Sequence, residues 1–147
     1  MKKILVVFLL FFESLLSQNS TLITVLGTVQ DGGLPHIGCD KKCCENPPDD
    51  LKVTSLGLSL PNNEGFYLFE ASPDFSEQLR FMDHKYDSSL KGIFLTHAHI
   101  GHYTGLMYLG KEALGANNIP VYAMSKISRF LTNNGPWSQL VSQSNIK

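Results

Sequence analysis

The sequence predicts a mixed α/β (α+β) fold, on three observations. Two short apolar, β-branched runs flank a turn and read as a hairpin. After them, runs of strand length alternate with stretches of helical periodicity. A cluster of three histidines then closes one of those strand-length runs.

Taken in order, "TLITVLGT" (Thr21–Thr28) is apolar and β-branched and predicts the first strand. "QDGGLPHIGCDKKCCENPPDD" is rich in Gly, Pro, Asp and Cys and predicts a long loop, a length that is commonly functional or clamped. "VTSLGLSL" and "FYLFEA" are strands joined by the turn "PNNEG". "SPDFSEQLRFM" predicts a helix with Ser72 as N-cap, Pro73 at its first position and Phe75, Leu79 and Met82 as its apolar stripe. "GIFLT" (Gly92–Thr96) is the next strand. The histidine segment follows it, then a helix through "GLMYLGKEAL" ending near Gly115. "IPVYAM" is a further strand, and Ser125 caps a helix over "KISRFLT" that "NNG" stops.

The 147 residues suffice for one ordinary domain, and 43% apolar with 17% charged residues describes a globular chain. A net charge of −1 gives no reason to expect nucleic acid or an anionic membrane as partner. At the start, Lys2 and Lys3 precede the apolar run Ile4–Phe12 and the polar exit "ESLLSQNS". This pattern predicts a signal peptide over residues 1–17, a mature domain over 18–147, and a periplasmic or secreted location. The run is too short to be a stable membrane span, and no cysteine lies near the cut to carry a lipid.

In "HAHIGH", His97 and His99 are two apart and His102 is three further on. If the pair continues the strand, alternation puts both imidazoles on one face, and the turn can bring His102 to the same point. Loop histidines without a role, or histidines satisfied in the core, are the plain alternative. Three in this register, at a strand end, favour metal binding.

With the segments "VLGTVQDGGLPHIGC", "LFEASPDFSEQL" and "IFLTHAHIGHYTGLMYL" on the page, the chain resembles the metallo-β-lactamase fold superfamily. It is most similar to the branch of PqqB-like proteins and cyclic phosphodiesterases. The resemblance implies an αββα sandwich, of which this chain holds the first half, with a metal centre on its rim. It implies that His97 and His99 hold a first ion and that His102 belongs to a second, whose motif aspartate is replaced here by Gly101. A glycine has no side chain to ligate with, so a single ion, an altered ion or a site closed by another residue are the alternatives. Asp74 is the nearest substitute, although helix N-terminal charge is its plainer role. Glu70 matches the strand-end acid that supports the ligands from behind. A solvent-facing acid is the alternative reading. Zinc is the expected ion, one or two per chain, with manganese or iron as alternatives.

The branch also carries a Cys-x-Cys-x-x-Cys zinc site in the first loop. Here Cys39 and Cys44 keep the spacing, Lys41 takes the middle place and Cys43 is extra. Cys39, Cys43 and Cys44 therefore predict either a structural zinc or a disulfide, Cys39 pairing with Cys43 or Cys44. His36 could join the cluster, but a lone loop histidine, like His84, is more often solvated.

The functional expectation is an exported metal-dependent hydrolase of small-molecule substrates, in which a metal-bound hydroxide attacks an ester or phosphodiester-type centre. The alternative, drawn from Gly101 and the PqqB-like segments, is a metal-binding protein of a cofactor pathway without hydrolytic turnover. The chain stops at "WSQLVSQSNIK", with no distant third ligand histidine and no second set of strands, and the apolar residues of "NGPWSQLV" still need a partner. The expectation is an incomplete sequence that exposes the face meant for a second sheet, a homodimer being the alternative cover.

Overall fold

Five strands form one mixed sheet in the order β1-β2-β3-β4-β5 in this computed structural model, which describes residues 20–147. Residues 1–17, expected from sequence to be a signal peptide, lie outside the described residues. β1 (Leu22–Gly27), β2 (Ser55–Ser59) and β3 (Phe66–Phe69) pair antiparallel. β4 (Leu90–Leu95) and β5 (Val121–Ala123) then add in parallel. The short turn between β2 and β3 allows an antiparallel neighbour, and each parallel pair has a crossover between its strands. β1 pairs antiparallel with β2 across the long loop of residues 28–54. α1 (Phe75–Tyr86) crosses between β3 and β4, and α2 (Ser125–Asn133) and α3 (Trp137–Ser142) follow β5.

Strand alternation sorts the sheet's two faces. Phe66, Leu68, Ile93 and Leu95 point into the core, where Phe75 and Met82 of α1 and Ile127 and Leu131 of α2 meet them, all buried. The other face is apolar too, but open. Ile23 is 71% exposed and Val25 62%. Beside them the Tyr67, Phe69, Phe94 and Tyr122 rings form a row, with Phe94 stacked on Phe69 at 5.0 Å and on Tyr122 at 4.6 Å between centroids.

Three expectations need correction. The segment after the histidines is not an α-helix but a 3-10 stretch, Thr104–Leu109. Gly105 N donates to Ala71 O (2.8 Å), outside its own turn, while Leu106 N reaches back to Tyr103 O and Gly110 N to Met107 O, so no i→i−4 ladder is built. Ser125 is the first residue of α2 rather than its cap; Met124 takes that place without a side-chain bond. α1 begins at Phe75, with Ser72 making a turn ahead of it: its Oγ accepts from Asp74 N at 3.1 Å and its carbonyl from Phe75 N at 3.0 Å. The tail not assigned from sequence forms α3, which buries Leu140.

The long loop is pinned at its root. Thr28 N and Val29 N donate to Lys52 O, and Thr54 N donates to Val29 O. Val53, 2% exposed, hands its N–H to Asp74 Oδ2 (2.7 Å), and its carbonyl accepts from Gln78 Nε2 (2.7 Å). Ser72 Oγ in turn donates to Gln78 Oε1 at 2.8 Å. Gln78→Ala leaves the buried Val53 carbonyl without its donor and the Ser72 hydroxyl proton without its acceptor. It is expected to cost about 1–3 kcal/mol, read as a lower urea midpoint at unchanged slope.

Candidate metal centre

The site forms where β4 ends. Beyond Leu95 the chain leaves the sheet at Thr96, and a single 3-10 turn, Ile100–His102, folds it back. His97 and His99 are two residues apart and stay close, their ring centroids 4.5 Å apart. The turn brings His102 under them, 4.1 Å from the His97 ring. His97 Nε2 and His99 Nδ1 face each other at 3.0 Å. Two nitrogens on one tetrahedral zinc sit roughly 3.3 Å apart, given Zn–N bonds near 2.0–2.1 Å. The pair is therefore spaced for one ion with little movement.

Neighbours hold the rings. Thr96 Oγ1 lies 2.8 Å from His97 Nδ1, a bond that fixes the ring and leaves Nε2 toward the cluster. Glu70 Oε2 lies 3.4 Å from His102 Nδ1, and ligand atoms of Glu70, His97 and His102 fall within 4.8 Å of one another. Glu70 is 5% exposed, and its carboxylate takes only long contacts, 3.3 and 3.4 Å, from Thr96 N. His102 Nδ1 is buried with no hydrogen-bond partner of good geometry. A buried carboxylate beside unsatisfied imidazole nitrogen, with two further imidazoles adjacent, is the donor set that suits a divalent ion such as zinc.

Backbone strain marks the same place. Glu70 has φ +73°, a left-handed conformation uncommon outside glycine. Such residues cost about 1–3 kcal/mol and gather at functional sites. Here Glu70 N→Phe94 O (2.8 Å) and Ala71 N→His102 O (2.9 Å) hold it, clipping the acid's segment to the histidine turn.

Of the residues singled out from sequence, His97, His99, His102 and Glu70 come together. Asp74 does not join them: its carboxylate is engaged by Val53 N at the start of α1, the structural role. Cys39 and Cys44 are joined as a disulfide and Cys43 is free and exposed, so of the two cysteine readings the structure holds the disulfide. His36 Nδ1 lies against the Ile37 carbonyl. The sequence reading missed Thr96, and it missed Asp31, whose Oδ1 lies 3.0 Å from His102 Nε2.

Fold and site together define a class. Residues 66–146, more than half the chain, match the profile of the Beta-lactamase superfamily domain. The chain belongs to the metallo-β-lactamase superfamily. The chain is similar to Coenzyme PQQ synthesis protein B of Nitrosococcus oceani, 29% identical over 126 residues, covering 78% of this chain and 40% of that protein. It also resembles the crystal structure of Zn(2+)-bound PqqB from Methylobacterium extorquens (TM-score 0.69, 20% identity, 87% of this chain, 48% of that one). A diphosphatase from the PhnP family is similarly placed (TM-score 0.65, 25% identity, 87% and 49%). The chain thus spans about half the length of these solved structures and less than half of the curated relative.

Proposed function

We propose that this chain belongs to an exported, metal-dependent hydrolase acting on small-molecule ester or phosphodiester-type substrates. The observation that carries the reading is the meeting of His97 and His102 with buried Glu70 at the end of β4, with His99 set against His97. A divalent ion bound there supplies acidified water and stabilisation of the developing oxyanion. His97 Nε2 and His99 Nδ1 would hold the ion, with Thr96 fixing the His97 ring and Glu70 orienting His102. The likeness to a PhnP-family diphosphatase supports a phosphorus centre within that substrate range.

Export, with a periplasmic or secreted location, is supported by the basic start and apolar run of residues 1–17 and by the Cys39–Cys44 disulfide, a bond that persists in oxidising compartments. Among the described residues no helix is long and apolar enough to cross a membrane.

A second reading, metal binding in a cofactor pathway without turnover, is favoured by Gly101 and by the likeness to Coenzyme PQQ synthesis protein B. One assay separates them. Purified protein loaded with zinc or manganese is offered a panel of esters, phosphodiesters and diphosphates, before and after chelation. Turnover that chelation removes and metal restores supports the hydrolase. Stoichiometric metal without turnover of any panel member rejects it in favour of the second reading.

A further inference from the structure

We propose that Asp31, from the loop after β1, delivers to the histidine cluster the carboxylate that Gly101 cannot, and serves there as a metal ligand beside His102. This deepens the metal-centre reading above and rests on it.

The geometry is direct. Asp31 Oδ1 lies 3.0 Å from His102 Nε2, and Oδ2 lies 4.0 Å from His99 Nδ1. The carboxylate therefore faces two imidazoles of the cluster, on the side of His102 opposite Glu70, which lies against Nδ1. Asp31 thus brings, from a separate part of the chain, an oxygen beside His102 Nε2 to a cluster otherwise offering imidazole nitrogens and Glu70. Imidazole nitrogen together with carboxylate oxygen is the mixture of donors a zinc site uses.

Gly101 is what admits Asp31. A Cβ placed on Gly101 would lie 2.5 Å from Asp31 Cβ and 2.9 Å from its Cα and Cγ. A side chain at 101 and this side chain at 31 exclude each other, because they begin in the same small volume. The missing acid of the histidine segment and the acid of the "QDGG" turn are thus alternatives for one space.

The turn is built to hold Asp31 there. Gly33 N donates to Gln30 O at 2.9 Å, closing a four-residue turn with Asp31 at its second position. The Gln30 side chain braces it at both ends, accepting from Gly32 N at 3.0 Å and donating to Gly33 O at 2.9 Å. Val29, next in the chain, is clamped to residues 52–54. The carboxylate is carried on a fixed stem rather than a free loop.

The test uses the full chain with Zn²⁺ and Co²⁺ as probes, reading zinc affinity by competition with a chromophoric chelator and the ligand field by the visible Co²⁺ spectrum. Asp31→Ala and Asp31→Asn are expected to weaken zinc by at least 10- to 100-fold or so, since even an outer partner of a ligand is worth that much, and to change the cobalt spectrum. The asparagine still accepts a hydrogen bond from His102, so its failure separates ligation from simple bracing. Gly101→Asp alone collides with Asp31 and is expected to lose affinity. Asp31→Gly combined with Gly101→Asp is expected to regain most of it, the exposed turn yielding slightly at residue 31. Far-UV circular dichroism checks the fold of each variant, and if the alanine does not fold, the asparagine and the exchanged pair decide. Parent-like zinc affinity and cobalt spectrum in Asp31→Asn, alongside loss in His97→Ala, would overturn the role of Asp31 alone. Zinc binding that His97→Ala leaves unchanged would instead overturn the metal centre itself.

Discussion

His97→Ala is expected to reduce zinc affinity by on the order of 100-fold or more, the larger end of what metal-site substitutions cost. His97 is the ring in the middle: its Nε2 is 3.0 Å from His99 Nδ1, and its ring centroid is 4.1 Å from that of His102. Alanine removes the donor and also the ring that packs edge-on against His99 and tilted against His102. His99 cannot make up the loss, because its side chain is 77% exposed and has only His97 and Asp31 to hold it. Thr96 Oγ1 loses its partner on the same change. Competition with a chromophoric chelator measures the effect, with His84→Ala as the control expected to match the parent. An affinity unchanged by His97→Ala would mean that whatever metal the chain takes up lies elsewhere.

Gly105→Ala is expected to destabilise the chain by about 3 kcal/mol, at the upper end of what overpacking costs. A methyl at this position would meet Ser72 O at 2.2 Å, Phe75 Cβ at 2.4 Å and the Ala71 carbonyl carbon at 2.9 Å. Two of these are backbone atoms, and Ala71, Ser72 and Phe75 are all fully buried, so nothing can turn aside. The same contact aligns Gly105 N with Ala71 O at 2.8 Å, and Ala71 N in turn donates to His102 O. Pushing the two segments of this clasp apart moves His102 from Glu70, and zinc affinity is expected to fall together with stability. Thermal unfolding should show a loss of about 10 °C; a midpoint within about 2 °C of the parent would refute the packing argument.

How much of this was legible in the sequence depends on the range of the force involved. The hairpin and the parallel additions follow from period-two apolar runs and from connection length, both local properties of the chain. The convergence of His97 and His99 was legible from their spacing of two, although β4 itself ends at Leu95. The 3-10 stretch was not, because "GLMYLGKEAL" has helical composition and is overruled by a distant acceptor, Ala71 O. Gln78 reads as an ordinary helix residue, and Asp74 as helix N-terminal charge or a substitute ligand, yet both hold Val53, far away in sequence. Asp31 lay unseen in a glycine-rich loop. The signal that could have found it was the pairing of a motif position without a side chain with an unexplained acid in a tight turn. For the cysteines, spacing allowed zinc or a bond between sulfurs and could not choose, since both need thiols within a few ångströms.

The aromatic row on the outer side of the sheet has a consequence for every measurement above. A sheet greasy on both sides has the character of a central layer, with matter stacked above as well as below. Left wet, the Phe69–Phe94–Tyr122 ladder and the bare Ile23 and Val25 keep water ordered against hydrocarbon over most of one side. The lip of that layer is where the three imidazoles sit, since Phe94 is only three residues before His97. A partner that covered this face would therefore also wall the candidate metal centre, and would set how dry its surroundings are.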